Sequence, residues 1–312
     1  MPPRSLGIAS FLVIFVLSGF MNALQARANG ELTTHLGNGV QAALFSFGSG
    51  LVLLTLALLA WPSMRAGVRR IGPALRERRL AWWALPTGLL GGVFIACQSY
   101  SVALVGVALF SVGMVAGQTV NSLIVDRVGL SPIGRTPVTV RRLVAAATAL
   151  IAVLVSVSGR LGDTDLSVAA LVAAFAGGCI VAVQQALNGR VNTATLQPIS
   201  TTWVNFVFGT TILLLMVLVG AWFFGAEVGA PSSGPWWMWM GGIFGMTFIG
   251  TAAWAVPRFG VLVFALVTIA GQLTAALLLD LAMPVGSNTV QWTVAAGAAL
   301  TLGAVGLVAV RR

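Results

Sequence analysis

The sequence predicts an all-α integral membrane protein of ten transmembrane helices, built as two five-helix repeats of inverted topology over residues 1–160 and 161–312. Three observations carry this: an interior almost without charge, a one-sided distribution of arginine, and an internal repeat. Of the 312 residues 58% are hydrophobic and 8% are charged, against about a quarter charged in soluble domains.

A helix crossing the hydrocarbon core takes about 20 apolar residues. Such stretches fall at 6–26, 39–61, 82–100, 102–125, 141–158, 167–187, 199–224, 236–255, 259–281 and 290–310. The first has the basic lead (Arg4) and apolar centre of a signal peptide. Its internal copy around Leu171–Gln185 cannot be one, so the first stretch is expected to stay as a helix.

The net charge of +10 rests wholly on 17 arginines. Most stand where apolar stretches end, which suits helix orientation, and nucleic acid is not an expected partner. Ten crossings place both termini on one face. On that face fall 15 arginines: Arg4, the loop set Arg65, Arg69, Arg70, Arg76, Arg78 and Arg79, then Arg127, Arg135, Arg141, Arg142, Arg190, Arg258, Arg311 and Arg312. Arg27 and Arg160 are left for the other face. Positively charged loops stay inside, so N- and C-termini are expected in the cytoplasm. Trp61, Trp82 and Trp83 bracket the basic loop and Trp236, Trp237 and Trp239 open the eighth stretch, as interfacial anchors do.

The repeat appears first as "LQARANG" at 24–30 and "VQQALNG" at 183–189, matching Gln25 to Gln184, Asn29 to Asn188 and Gly30 to Gly189. "WWALPTGLLGGVFI" (82–95) then parallels "WWMWMGGIFGMTFI" (236–249), and "AGQTVNSLIVD" (116–126) parallels "AGQLTAALLLD" (270–280). A unit of five helices is odd in number, so its second copy enters the membrane from the opposite face. Such inverted pairs serve alternating access, with the solute held between the copies.

These motifs, with the small-plus-Phe stretches before Gly50 and Gly209, resemble the bacterial drug/metabolite transporter superfamily, the EamA-like carriers, and within it the YdcZ-type branch. The likeness covers almost the whole chain and is most specific in the AGQ-to-Asp run. It implies an inner-membrane carrier of small molecules, a fused pair of five-helix repeats, and export as the common direction.

Polar side chains inside spans either tie helices or line a path. The substrate-binding candidates are Gln25, Asn29, Gln184, Asn188, Gln118, Gln272, Asn205 and Ser46. Gln25 and Asn29 are four apart, as are Gln184 and Asn188, so each pair shares a helix face. Their amides both donate and accept; they either hold a polar solute or join helices, and the Asn-Gly pairs read as helix stops at Gly30 and Gly189. Asp126 and Asp280 close the fourth helix of each repeat and are candidates for gating or proton coupling, with pairing to a neighbour such as Arg127 as the plainer role.

The first span carries no acid, which disfavours cation exchange on a central carboxylate. Neutral or zwitterionic solutes, or an anion steered by Arg27, fit better. His35 is placed in the outer loop, and Cys97 and Cys179, without a CxxC spacing or a histidine partner, are placed in helix packing. No catalytic residue, metal site or cofactor is expected, and an enzyme is disfavoured because seven scattered acids and one histidine supply no catalytic constellation. The expected partners are a small-molecule substrate and the lipid bilayer, with a monomer or homodimer as the assembly. The alternative is a non-transporting membrane partner or a scramblase-like lipid-handling protein.

Overall fold

The computed structural model describes residues 8–130, 132, 134–135, 137–159, 167–229, 234–259, 261–283 and 292–309. Arg4, Arg160, Arg311 and Arg312 lie outside them. Twelve α-helices follow in order among the described residues: α1 (Ile8–Leu36), α2 (Gly39–Ala60), α3 (Pro62–Arg69), α4 (Ile71–Arg76), α5 (Thr87–Val105), α6 (Val107–Val128), α7 (Val140–Ser158), α8 (Val168–Thr195), α9 (Pro198–Phe224), α10 (Gly241–Phe259), α11 (Val261–Ala282) and α12 (Trp292–Ala309). All but α3 and α4 are 18 residues or longer, and each long helix falls on one of the apolar stretches. Six helical segments, Gly39–Ala60, Trp82–Val105, Val107–Val128, Val140–Ser158, Val168–Thr195 and Pro198–Phe224, have the length and apolarity to cross a membrane, and Val267–Ala282 and Trp292–Gly303 are shorter apolar segments. Large apolar side chains stand exposed on the outer faces, among them Leu56, Leu154, Trp222 and Phe224. A surface of that kind suits contact with lipid.

The expected stops at Gly30 and Gly189 do not occur. Helix α1 runs on to Leu36 and α8 to Thr195, which puts His35 in the last turn of α1, 3.4 Å from Glu31, and not in a loop. The glycines serve contact instead. A Cβ on Gly30 would collide with Val102 of α5, and one on Gly189 would come within 2.9 Å of Pro132. The true stop of α1 is Gly37, which takes a left-handed φ of +66° and donates its N–H to the Thr33 carbonyl at 2.8 Å. The matching residue after α8 is Leu196, held at φ +53°, a conformation costly for any residue with a Cβ. The expected basic loop at 62–80 is also largely helical, as α3 and α4.

Close approach organises the interior. Helix α1 packs on α11 and α10, α8 on α6 and α5, and α2 on α9, with α2 also on α10 and α9 also on α5. Glycines mediate these contacts in matched pairs. Gly117 of α6 faces the Phe175 carbonyl of α8, while its counterpart Gly271 of α11 faces the Val16 carbonyl of α1. Gly178 faces the Met114 carbonyl and Gly19 the Thr268 carbonyl. Gly88 of α5 sits on the Asn205 carbonyl of α9, and Gly242 of α10 on the Ser46 carbonyl of α2. Each contact recurs with the two halves of the chain exchanged. Small residues that let backbones touch are the usual means of helix association in lipid.

Two outcomes follow. Gly117→Ala and Gly271→Ala each lower the thermal unfolding temperature of the purified protein, by the equivalent of about 1–3 kcal/mol, whereas Gly48→Ala, facing open space, leaves it unchanged or raises it. Leu196→Gly raises stability by about 1 kcal/mol, because Leu196 is 70% exposed and has little packing to lose.

Candidate functional site

Phe47 of α2 and Phe206 of α9 stack at 4.6 Å between centroids. Phe206 lies over Gly50 and Phe47 over Gly209, so each ring occupies the space that a missing side chain leaves opposite. Beside the stack is a cavity with about 80 Å³ of space for water centres, enough for several waters or part of a small solute. Of the predicted residues Gln25, Gln118, Gln184, Asn188 and Gln272 line it. Gly245 and Gly91 receive the Gln25 and Gln184 amides in matched positions. Asn22, Gln185, Asn192, Thr201 and Thr268 also line it, and so do Phe47, Phe94, Phe248 and Phe264. Asn22 and Thr268 carry no signal in the repeat, since Val181 and Met114 stand at their matched positions.

Some of the amides are bonded to one another. Asn22 Nδ2 donates to Gln272 Oε1 at 2.9 Å, and Gln118 Nε2 donates to Gln185 Oε1 at 3.1 Å. Gln184 Nε2 reaches Asn205 Oδ1 at 3.4 Å. Gln25, only 3% exposed, makes no hydrogen bond among the described residues.

Three predicted residues lie outside the cavity lining. Asn205 donates to Asn188 Oδ1 and to Thr87 Oγ1, both at 3.0 Å, and Thr87 donates to Asn188 Oδ1 at 2.5 Å, a closed network that ties α9 to α8 and α5. In the matched network Ser46 stands for Asn205 and Gly241 for Thr87. There Asn29 donates to Gln98 at 3.2 Å, and Asn29 Oδ1 and Ser46 Oγ are buried without a partner. These two atoms face Gly241, where a side chain would meet them. Asn29, Asn205 and Ser46 therefore serve as ties between helices or border one.

The two acids differ. Asp280, 8% exposed, accepts from the backbone N–H groups of Val107 at 3.1 Å and Ala108 at 2.7 Å. It caps the head of α6, where unpaired N–H groups and the helix dipole favour an anion. Gly106 precedes them at φ +82°, and a Cβ there would stand 3.0 Å from the carboxylate. Asp126 pairs with Arg142 of α7, a change from the expected Arg127, because Arg142 starts the next helix on the same face.

Two arginines, Arg27, expected to steer an anion, and Arg190, expected only to orient its helix, complete the ends of the cavity helices. Arg27 donates to the Met283 carbonyl at 3.1 Å, pairs with Glu31 at 2.6 Å and lies over Trp237 at 5.0 Å. Arg190 donates to the carbonyls of Leu130 and Gly129, at 2.5 and 2.9 Å, and lies over Trp83 at 5.9 Å. Each thus satisfies carbonyls just past the end of α11 or α6, and each uses a Trp that had been expected only as a membrane anchor. They stand at unmatched positions, so alignment of the two halves could not have paired them.

Thr87→Val leaves Asn188 and Asn205 short of a partner and lowers stability by about 1–3 kcal/mol. Ser46→Ala removes a hydroxyl that has none and leaves the unfolding temperature unchanged or higher. Thermal unfolding of the two variants side by side checks both.

Against known proteins, a family model described as "Putative inner membrane exporter, YdcZ" matches the chain twice, over residues 10–155 and 169–307. No curated protein matches it. A solved structure described only as "Crystal structure of protein" is 18% identical, covering 96% of this chain and 94% of that one with a TM-score of 0.58, and shows that the fold is shared. With nearly every described helix inside the two matched regions, the chain belongs to the YdcZ family of inner-membrane exporters of the drug/metabolite transporter type and is a multi-pass membrane protein.

Proposed function

We propose that the protein is a secondary carrier exporting small metabolites or drug-like solutes across the bacterial inner membrane by alternating access. In this reading the ten long helices are ten crossings, residues 1–160 and 161–312 are inverted repeats, and both termini are cytoplasmic. One copy of the chain suffices, since both halves are present. Gln25, Gln118, Gln184, Asn188 and Gln272 contact the solute.

The observation that carries this is a cavity that reaches toward one end and not the other, between halves that otherwise match. Its lining continues through Asn188, Asn192 and Thr201 at the arginine-rich end. The matched residues at the opposite end, Asn29, Thr33 and Ala42, take no part in it. At that opposite end Asp280 clasps the head of α6 and Arg27 the end of α11, contacts that would hold it shut. The exchanged state follows from the repeat: Asp126, matched to Asp280, takes the N–H groups at the head of α11, where Val261 matches Val107, and Asp280 releases α6. Asp126 and Asp280 are thus gate residues, each closed in one state.

The transport reading is tested by thermal shift against metabolites, quaternary ammonium compounds and nucleosides, because a ligand that binds only the folded state raises its apparent stability. Hits are then tested for counterflow in liposomes. Counterflow of a hit supports the carrier; binding without counterflow, or lipid scrambling by the same liposomes, contradicts it. The gate is tested separately. Asp280→Asn loses hydrogen bonds to a charged group worth about 1.5–3 kcal/mol and shifts the protein toward the outward-open state. With Cys97 and Cys179 replaced by Ala, a Val107→Cys probe, fully buried in the parent, then reacts at least tenfold faster with an impermeant maleimide added outside. An unchanged rate would remove Asp280 from the gate.

A further inference from the structure

We infer that the cavity selects solutes that are uncharged where they are bound, with a donor–acceptor edge like that of an amide beside an apolar, planar body. The inference rests on the carrier reading for its physiological meaning but concerns binding alone.

Sequence left three solute classes open: neutral, zwitterionic, or an anion steered by Arg27. Two of these need a charged partner in the cavity, and among the described residues no charged side chain lines it. Arg27 is committed to Glu31 and the Met283 carbonyl and stacked on Trp237. Asp280 is committed to the head of α6. An ion moved into such a site loses its hydration without a counter-charge, a heavy penalty.

What the cavity offers is neutral and two-sided. The pairs Asn22–Gln272 and Gln118–Gln185 use one amide group from each residue, leaving Gln118 Oε1 as an acceptor and Gln185 Nε2 as a donor. Gln25 keeps both its donor and its acceptor for a solute. Gln25 is thus the lining amide with neither group bonded among the described residues. An amide left without partners is costly, and a solute with one donor and one acceptor satisfies both of its groups together. The remaining walls are apolar, with Phe47, Phe94, Phe248 and Phe264 among aliphatic side chains such as Ile95 and Ile269, and suit a flat apolar body.

Three probes of one shape separate the classes: benzamide, benzoate and benzamidinium. Each is added to the purified full-length protein at neutral pH and thermal unfolding is followed. Benzamide raises the unfolding temperature and the two ions do not. Gln25→Leu weakens the benzamide effect about tenfold in apparent affinity, while Thr247→Ala, an exposed change on α10, leaves it intact. An equal or larger effect from either ion, the same response to all three probes including none, or an undiminished benzamide effect in Gln25→Leu overturns the inference. Counterflow with the same probes separates it from the carrier reading. Benzamide that binds but is not exchanged leaves the selectivity standing and sinks transport; exchange of benzoate or benzamidinium supports transport and sinks the selectivity.

Discussion

Contact between helix backbones, made possible by glycine at a handful of crossings, is the constraint on which the structure depends. In lipid an apolar side chain gains little by leaving hydrocarbon for protein, so helices associate through close packing and hydrogen bonds. Gly117, Gly178, Gly19 and Gly271 bring α6 to α8 and α1 to α11 so closely that each would place a Cβ against a neighbouring carbonyl. Gly88 and Gly242 do the same for α5 on α9 and α10 on α2. The first and fourth helices of opposite halves are thereby fixed as pairs, and the cavity is the space left between them.

That frame decides what polar groups can do. Near the helix ends most are used up, Asn29 Oδ1 and Ser46 Oγ excepted: Asn188, Asn205 and Thr87 close on one another, Asp280 caps α6, and Arg27 and Arg190 satisfy carbonyls past α11 and α6. Midway along, Gln25 lines the cavity without a hydrogen bond among the described residues. Its amide borders that space, which is where a solute can pair it.

Composition and repetition made the fold legible. The apolar stretches located every long helix, since a span in lipid must be apolar throughout and tolerates little ambiguity. Five of the eight amide and hydroxyl candidates line the cavity, since duplication preserved Gln25 with Gln184 and Gln118 with Gln272. The misreadings have local causes. Asn-Gly favours turns in water, but at Asn29–Gly30 the amide bonds Gln98 and the glycine admits Val102, so the helix continues. Arg27 and Arg190 perform one task from unmatched positions, which no alignment of the halves reveals. Thr87 has become Gly241 in the other half, and the lost hydroxyl separates a closed network from an open one.

The central claim is that the two ends of the cavity open in opposition. Spin-label distances test it most directly, with Cys97 and Cys179 replaced by Ala and one pair of labels at Thr193 of α8 and Thr251 of α10, the other at Thr34 of α1 and Tyr100 of α5. The account predicts two populations for each pair in liposomes, with Asp280→Asn shortening the first distance and lengthening the second. A single fixed distance for both pairs, or a joint lengthening of the two, would contradict it.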